Sequence, residues 1–343
     1  MEFLYEYGLF LAKVATFVIA LLLAVGGIVG LASKQKHKKG ELEITSLSDK
    51  LSDVKDMLHS FILDKDQLKK LEKEQKKAAK KDKKDKQKDT DSDKGNLYVI
   101  DFDGSVDAHE VDCLREEITA ILTIATDKDE VLIRLESGGG VVHGYGLAAS
   151  QLQRIKDKGI KLTIAVDKVA ASGGYMMACV ADKVLAARFA IIGSIGVIAQ
   201  LPNFNKLLKK NYVDFEQHTA GEFKRTLTVF GENTEQGREK FRDELEEVHQ
   251  MFKGFVQSNR PELAIDTVAT GEYWYGSKAL ELGLVDEIQT SDDFLLKANE
   301  DKEIYSVKYT IRKNIAEKFS LAALKSVETR LMKWWQKSQL IGK

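Results

Sequence analysis

Three features of this 343-residue chain have the residue types and spacing for chemistry: a serine in a glycine turn, a lysine among aromatic neighbours, and a run of glycines ending an apolar segment. Ala170–Ala171–Ser172–Gly173–Gly174 lies between a strand-like run and an apolar helix-like run. A serine there sits near a helix N-terminus, where free backbone N–H groups favour developing negative charge. The adjacent glycine lets backbone come close to a substrate. The simpler reading, that Ser172 only caps the helix after it, has the edge on this observation alone. A serine hydroxyl also needs a base before it can attack an amide. Among the histidines, His109, His143, His218 and His249 fall in the folded part and His37 and His59 outside it. None carries a motif, and the default for each is an ordinary polar role; His143, just past the glycine run, is the best placed. A lysine serves instead where desolvation lowers its pKa toward neutrality. Lys224, in Gly221–Glu222–Phe223–Lys224–Arg225, has aromatic and apolar neighbours, although a surface charge is the default for a lone lysine. Gly138–Gly139–Gly140 lacks the Gly-Lys continuation of a phosphate cradle and fits better as a donor of N–H groups to a carbonyl oxygen. Cys113 and Cys179 are far apart and read as two ordinary thiols in or near a core, neither a disulfide framework nor a metal cluster.

The elements that would position these residues follow from hydrophobic period and turn chemistry. LYVIDFDG (97–104) predicts a strand and turn, and residues 111–125 a helix. EVLIRLES (130–137) predicts a strand broken by the glycines, 145–158 a helix ending at Gly159, and IKLTIAVD (160–167) a third strand. Gly173–Gly174 opens a helix through Val180, and KVLAA (183–187) is a fourth strand. Strands alternating with helices predict an α/β domain with a mainly parallel sheet. Residues 184–201 are nearly all apolar, but Arg188 and Gly193–Ser194–Ile195–Gly196 interrupt them, so a buried strand and turn is expected there rather than a membrane helix. Phe241, Leu245, Val248, Phe252 and Phe255 recur at helical spacing and are expected to face a core.

The flanks are different in kind. Residues 14–32, VATFVIALLLAVGGIVGLA, carry no charge and no proline, and span about 28 Å as a helix, close to a bilayer's hydrocarbon thickness. With Glu2 and Glu6 ahead of it and no basic start, the segment reads as a retained anchor rather than a cleaved leader. Lys34, Lys36, Lys38 and Lys39 follow at once, which by the positive-inside rule keeps that flank cytoplasmic. Leu47, Leu51, Val54, Leu58 and Phe61 form a helical stripe, and residues 64–94 are largely Lys, Asp, Gln and Glu, a solvated tether with too little apolar area to fold. Interleaved acids, absent aromatics and a net charge of −1 argue against nucleic acid as a partner. The tail from Ile315 to Leu340 is amphipathic, with Phe319, Leu331, Trp334 and Trp335 among lysines. It suits a membrane interface, a neighbouring subunit or its own domain.

Four stretches together resemble peptidase family S49, the signal-peptide-peptidase A group: LESGGGVVHGYGLAASQL (135–152), VDKVAASGGYMMACVADKVLAA (166–187), GSIGVI (193–198) with TAGEFKRT (219–226), and TGEYWYGSKALELGLVDEI (270–288). The resemblance implies a crotonase/ClpP-like α/β fold with a mainly parallel sheet, preceded by the membrane helix and charged linker. The corresponding organisation is an anchor over 1–33, a Lys-rich linker with a short helix over 34–95, the peptidase domain over 96–300 and an amphipathic extension over 301–343. By resemblance Ser172 is the nucleophile, Lys224 the general base, Ser194 a support for the base, and the Gly139 and Gly173 N–H groups the oxyanion hole. The expected reaction is hydrolysis of peptide bonds in signal-peptide remnants or other small or membrane-associated polypeptides, with no metal or organic cofactor. A homo-oligomer is implied, as is membrane lipid as a partner of the anchor. The implied location is the bacterial inner membrane, with the catalytic part outside, against the side the lysines favour. Relatives often carry Ser-Pro-Gly-Gly where this chain has Ser137–Gly138–Gly139–Gly140, which bears on Gly139. Two rival readings are a crotonase-like acyl-CoA enzyme and a non-catalytic membrane scaffold; the first does not explain the anchor or the Lys224 motif, and the Ser172–Lys224 pair weighs against the second.

Overall fold

A computed structural model describes residues 7–11, 13–18, 40–64, 66–70, 73 and 95–311. The chain divides into two compact units, Met1–Glu41 with Thr310–Lys343, and Leu42–Tyr309. In the first, residues 7–11 and 13–18 are helical, and Thr310 Oγ1 donates to the Glu41 carbonyl at 3.4 Å. The anchor expected over 14–32 lies mostly outside the described residues, as do most of the expected charged tether and the tail beyond 311. Among the described residues no helix is long and apolar enough to cross a membrane.

In the larger unit, strand β1 (Gly40–Ser46) leads into helix α1 (Leu47–Ile62), whose first turn is fixed by Asp49 N–H donating to the Ser46 hydroxyl. The alternating core begins with β2 (Asn96–Gly104), α2 (Val111–Ile124), β3 (Glu130–Ser137), α3 (Val142–Asp157), β4 (Lys161–Val166), β5 (Val169–Ala171), α4 (Gly173–Ala178), β6 (Lys183–Ala186) and β7 (Ile191–Gly193). It continues with α5 (Asn205–Lys210), α6 (Glu235–Asn259), α7 (Ile265–Val268), β8 (Tyr273–Tyr275), α8 (Gly276–Glu281), β9 (Glu287–Ile288), α9 (Ser291–Ala298) and β10 (Glu303–Ile311). The main sheet runs β1-β10-β2-β3-β4-β6-β9, and the β10–β2, β2–β3, β3–β4, β4–β6 and β6–β9 pairs are parallel. The expected mainly parallel α/β fold is what forms.

Successive strand residues point to opposite faces, and both faces of this sheet are apolar, as parallel sheets require. Tyr98, Ile100, Val131, Ile133, Ile164 and Val184 face the large core, into which α2 sends Leu114, Ile118 and Ile121 and α3 sends Leu152 and Ile155. Leu97, Val99, Leu132, Ala165, Leu185 and Ile304 face the other way, under Leu295 of α9. Each fully buried Leu or Ile contributes about 1.5–3 kcal/mol. Helix α3 ends as expected at Gly159: φ there is 77°, and Ile160 N–H donates back to the Ile155 carbonyl.

The sheet forks at its centre. β3 pairs with β4 as far as Arg134, and then Ser137 pairs instead with Ala170 of β5. β5 pairs in parallel with β7, Ala171 opposite Gly193, and β7 carries β8 antiparallel on its far side. The carboxyl ends of β3, β5 and β7 therefore converge, the place where open α/β sheets hold their ligands.

Three sequence expectations change. The linker drawn over 34–95 contains β1, an edge strand of the sheet, and the domain boundary drawn at 300 falls before β10, which lies between β1 and β2. Neither is visible locally, because each is defined by partners far away in sequence. The strand and turn expected within 184–201 do form, as β6 and β7, and bury Val184, Leu185, Ile192 and Ile195, with Phe189 and Ile198 83% and 79% exposed. On α6 only Phe252 and Val256 are buried, while Phe241, Leu245, Val248 and Phe255 are half-buried.

Candidate active site

Ser172 stands between the end of β5 and the start of α4, with φ 52° and ψ −117°. A non-glycine residue at positive φ outside the left-handed well costs on the order of 1–3 kcal/mol, so the surrounding structure must impose it. Here Ser172 N–H donates to the Gly193 carbonyl at 2.8 Å and its carbonyl accepts from Met176 N–H at 3.0 Å. The side chain makes no capping hydrogen bond to α4, so the simpler reading of this serine loses its support. The half-buried hydroxyl opens on a cavity of about 70 Å³ lined in part by Gly140, Val142, Met176, Val197 and Phe252.

The glycines around it are there for room. A Cβ on Gly139, whose φ is 84°, would lie 2.7 Å from both Ser172 Cβ and Gly173 N. The glycine arm after β3 thus touches the Ser172 turn, and the two residues expected to form an oxyanion hole are neighbours. A Cβ on Gly173 would lie 2.3 Å from Tyr145 Cγ, so that ring occupies the place of any side chain. Gly173 N–H is the first of α4 and has no acceptor within its own helix. Gly139 N–H donates to Ser137 Oγ at 3.1 Å.

Ser194 follows β7 as Ser172 follows β5, and shares its positive φ, at 51°. Its N–H donates to the Glu272 carbonyl at 2.7 Å and its hydroxyl to the Gly271 carbonyl at 3.3 Å. Ser172 and Ser194 are thereby side by side at the ends of paired strands. Lys224 is not brought to them. It is exposed, in a segment without regular structure, and lines a separate groove of about 700 Å³ with Leu201, Phe215 and His218. That groove and the Ser172 cavity share no lining residue.

The four histidines also lie elsewhere. His109 is 70% exposed and joins Ser105 Oγ, at 2.9 Å, in a cluster with Asp107 and Glu110 that closes the β2–α2 turn. His143 is exposed on the first turn of α3, His218 stands 3.5 Å from Glu216, and His249 bonds the Ala269 carbonyl at 3.1 Å. None lines the Ser172 cavity. Cys179 is buried, its thiol pushed up to about 12 by loss of solvent, and Cys113 is half-buried and likewise raised. Such thiols are inert packing groups. No group of three or more His, Cys, Asp or Glu side chains suited to a metal occurs among the described residues. Tyr145 and Ser137, which support the glycine arm, were not singled out from sequence; the available signal was a serine closing an apolar strand, at a position whose side chain is buried.

A serine on a tight strand-to-helix turn, flanked by glycine backbone at the carboxyl edge of a forked parallel sheet, is an arrangement suited to acyl transfer in an α/β fold. Comparison with known proteins narrows it. Residues 2–152 match "Peptidase family S49 N-terminal" and residues 154–305 match "Peptidase family S49". The chain is 54% identical over 332 residues to the probable protease SohB of Haemophilus influenzae, covering 95% of this chain and 94% of that one. It is 50% identical over 333 residues to the probable protease SohB of Buchnera aphidicola subsp. Acyrthosiphon pisum, covering 97% and 98%. A solved structure of the 1510-N membrane-bound stomatin-specific protease with a substrate peptide aligns at 15% identity and TM-score 0.43, over 66% of this chain and 96% of that one. The chain belongs to peptidase family S49. It is a protease, and its substrates are peptides.

Proposed function

We propose that the chain is a membrane-anchored serine endopeptidase of crotonase-like architecture, with Ser172 as nucleophile and Lys224 as general base. The observation that carries this is the Ser172 turn: a strained serine, its hydroxyl not used as a cap, beside the two glycines whose N–H groups would receive an oxyanion. Ser172 Oγ attacks the peptide carbonyl carbon while the neutral Lys224 amine takes the hydroxyl proton. The carbonyl oxygen becomes negative and is met by Gly173 N–H and Gly139 N–H. A hydrogen bond to an alkoxide is stronger than one to a neutral hydroxyl, so Gly139 N–H turns part of its hydrogen bonding to that charge while still shared with Ser137 Oγ, as a three-centre bond. The C–N bond breaks, the Lys224 ammonium returns its proton to the leaving amine, and the lysine then activates the water that releases the acyl group.

This reading requires Lys224 to leave solvent and reach Ser172 beside Ser194, by closure of the 194–233 segment or by assembly with further copies. A homo-oligomer supplies such cover, and Ser194 at the neighbouring strand end supplies a hydroxyl for the amine. Residues 14–32 would hold the enzyme to lipid, in the bacterial inner membrane, and signal-peptide remnants or other small membrane-associated polypeptides are the substrates such an enzyme would meet. Fusion of alkaline phosphatase to the C-terminus decides the side: activity there places the catalytic part outside the cytoplasm.

The test is labelling with a fluorophosphonate probe and mapping of the modified peptide. Label on Ser172, lost in Ser172→Ala and strongly slowed in Lys224→Ala, is the expected result. Each variant should lose on the order of 10³-fold or more in peptidase rate. Full activity in either folded variant refutes the dyad.

A further inference from the structure

Ser137 closes β3 with its side chain buried, and a chain of three hydrogen bonds passes through it. Gly139 N–H donates to Ser137 Oγ at 3.1 Å, Ser137 Oγ lies 2.5 Å from the Tyr145 hydroxyl, and that hydroxyl donates to the Ser105 carbonyl at 2.8 Å. A phenol has one proton. With that proton on the Ser105 carbonyl, the Tyr145 oxygen must accept from Ser137, which leaves the Ser137 lone pairs for Gly139 N–H. The chain therefore has one direction, from the glycine arm to the β2–α2 turn, and bonds in such a series polarise one another. Burial pushes the Tyr145 phenol up, which keeps its proton in place. Gly104 leaves room for the junction: a Cβ there would lie 2.6 Å from the Tyr145 hydroxyl oxygen and 2.9 Å from Ser137 Oγ.

The same tyrosine meets the other side of the nucleophile turn. Its ring, wholly buried on α3, lies where a Gly173 side chain would be. One residue thus touches both backbone donors, Gly173 through its ring and Gly139 through its hydroxyl and Ser137. A backbone hydrogen bond, Val141 N–H to the Val106 carbonyl at 2.8 Å, also ties the glycine arm to the β2–α2 turn.

We propose that Tyr145, acting through Ser137, is a positioning residue of the peptidase reaction, holding the Gly139 arm and Gly173 in the mutual geometry that receives the oxyanion. The proposal rests on Ser172 being the nucleophile. Preorganised donors act on the transition state and not on the bound substrate, so the effect belongs in kcat.

The experiment uses the full chain in detergent, with fluorescein-labelled casein or an unstructured fluorogenic peptide as substrate and a fluorophosphonate as the acylating probe. Tyr145→Phe keeps the ring and removes the hydroxyl. The expected result is a fall in kcat of about tenfold to a hundredfold, less than the loss of a whole oxyanion donor. KM should stay within about twofold, the pH profile should not move, and probe labelling should slow in parallel with kcat. Ser137→Ala, which interrupts the chain with the tyrosine intact, should lose kcat to the same degree. The double variant should lose no more than the larger single loss, because both cut one chain. A folded Tyr145→Phe with wild-type kcat, or with raised KM and unchanged kcat, overturns the proposal. If Tyr145→Phe does not fold, Ser137→Ala decides alone by the same criteria. Failure of the probe to label Ser172 in the wild type instead overturns the nucleophile assignment, whatever Tyr145 does.

Discussion

Glu117 gives the molecule a pH dependence opposite in sign to that of its paired carboxylates. The residue faces inward from α2 at 5% exposure and accepts a hydrogen bond from Tyr309 N–H of β10 at 2.7 Å. Loss of solvent raises its pKa from 4.5 to about 7, more than the Tyr309 bond and Lys308 lower it. Each unit is about 1.4 kcal/mol of difference between the two protonation states. A rise of about 2.5 units corresponds to about 3 kcal/mol at full burial, and residual solvent contact brings the expected effect to about 2 kcal/mol. Between pH 4.5 and about 7 the folded state holds a proton that the unfolded chain has released, so this contribution is present at low pH and is lost as pH rises through 7. Glu117→Gln keeps an acceptor for Tyr309 N–H and cannot ionise. It should be nearly neutral at pH 5 and stabilising by about 2 kcal/mol at pH 8, or several degrees in Tm for a unit of this size. Urea or thermal denaturation of the full chain in detergent at the two pH values reads both. Equal stability of variant and wild type at pH 8, or an equal difference at both pH values, refutes the reasoning.

Two further predictions concern buried contacts of the fold. Gly173→Ala drives a methyl group to 2.3 Å from Tyr145 Cγ, and should lower Tm through about 1–3 kcal/mol of overpacking while removing most peptidase activity; a folded variant at wild-type rate would mean that the turn yields freely. Arg260, 12% exposed on its side chain, holds both oxygens of Asp286 at 2.7 and 2.9 Å and the Gly283 carbonyl at 2.9 Å. Arg260→Ala should cost about 3 kcal/mol, measured by urea denaturation at pH 7. The Asp286 carboxyl is held low by this partner and by Val184 N–H against the opposing effect of burial. The Arg260 contribution should therefore shrink as pH falls through and below the ordinary carboxylate range, and a difference independent of pH down to 3 would show that charge pairing is not its source.

Most of the sheet was legible because its signals are local. EVLIRLES has an apolar centre and stops at glycine, and β3 occupies those residues, Glu130–Ser137. Lys158–Gly159 reads as a helix stop, and the positive φ at Gly159 makes it one. What escaped is defined by distant partners. β1 and β10 are the outer strands on one side of the sheet, and Ser48 of α1 bonds Asn299 across 251 residues of chain. Nothing within GELEITS indicates that it will pair there; its burial pattern is nearly all exposed or half-buried. The fork at Ser137 is equally silent, because the exchange of β4 for β5 changes a partner and not a hydrophobic period.

The difference between Ser172 and Lys224 has the same origin. The serine's setting is dictated by neighbours in the chain: two alanines finish a strand, two glycines leave room for Tyr145 and Ser137, and the register of β5 on β7 places Ser194 alongside. The lysine lies on a segment that buries almost nothing. From residue 196 to 234 no residue is fully buried, and the segment is organised around a small aromatic group, Phe204, Phe215 and Phe230, with ring centroids 5.8–6.2 Å apart. Tyr212 beside it is 97% exposed, and Phe223, next to Lys224, is exposed as well. Such a segment has little of its own to hold one conformation, so its position must be set by whatever covers those rings. On the proposed reading, the event that covers the aromatic rings would also carry Lys224 to Ser172. On that reading the sheet of one chain sets Ser172 and its glycines, while the lysine waits for the cover.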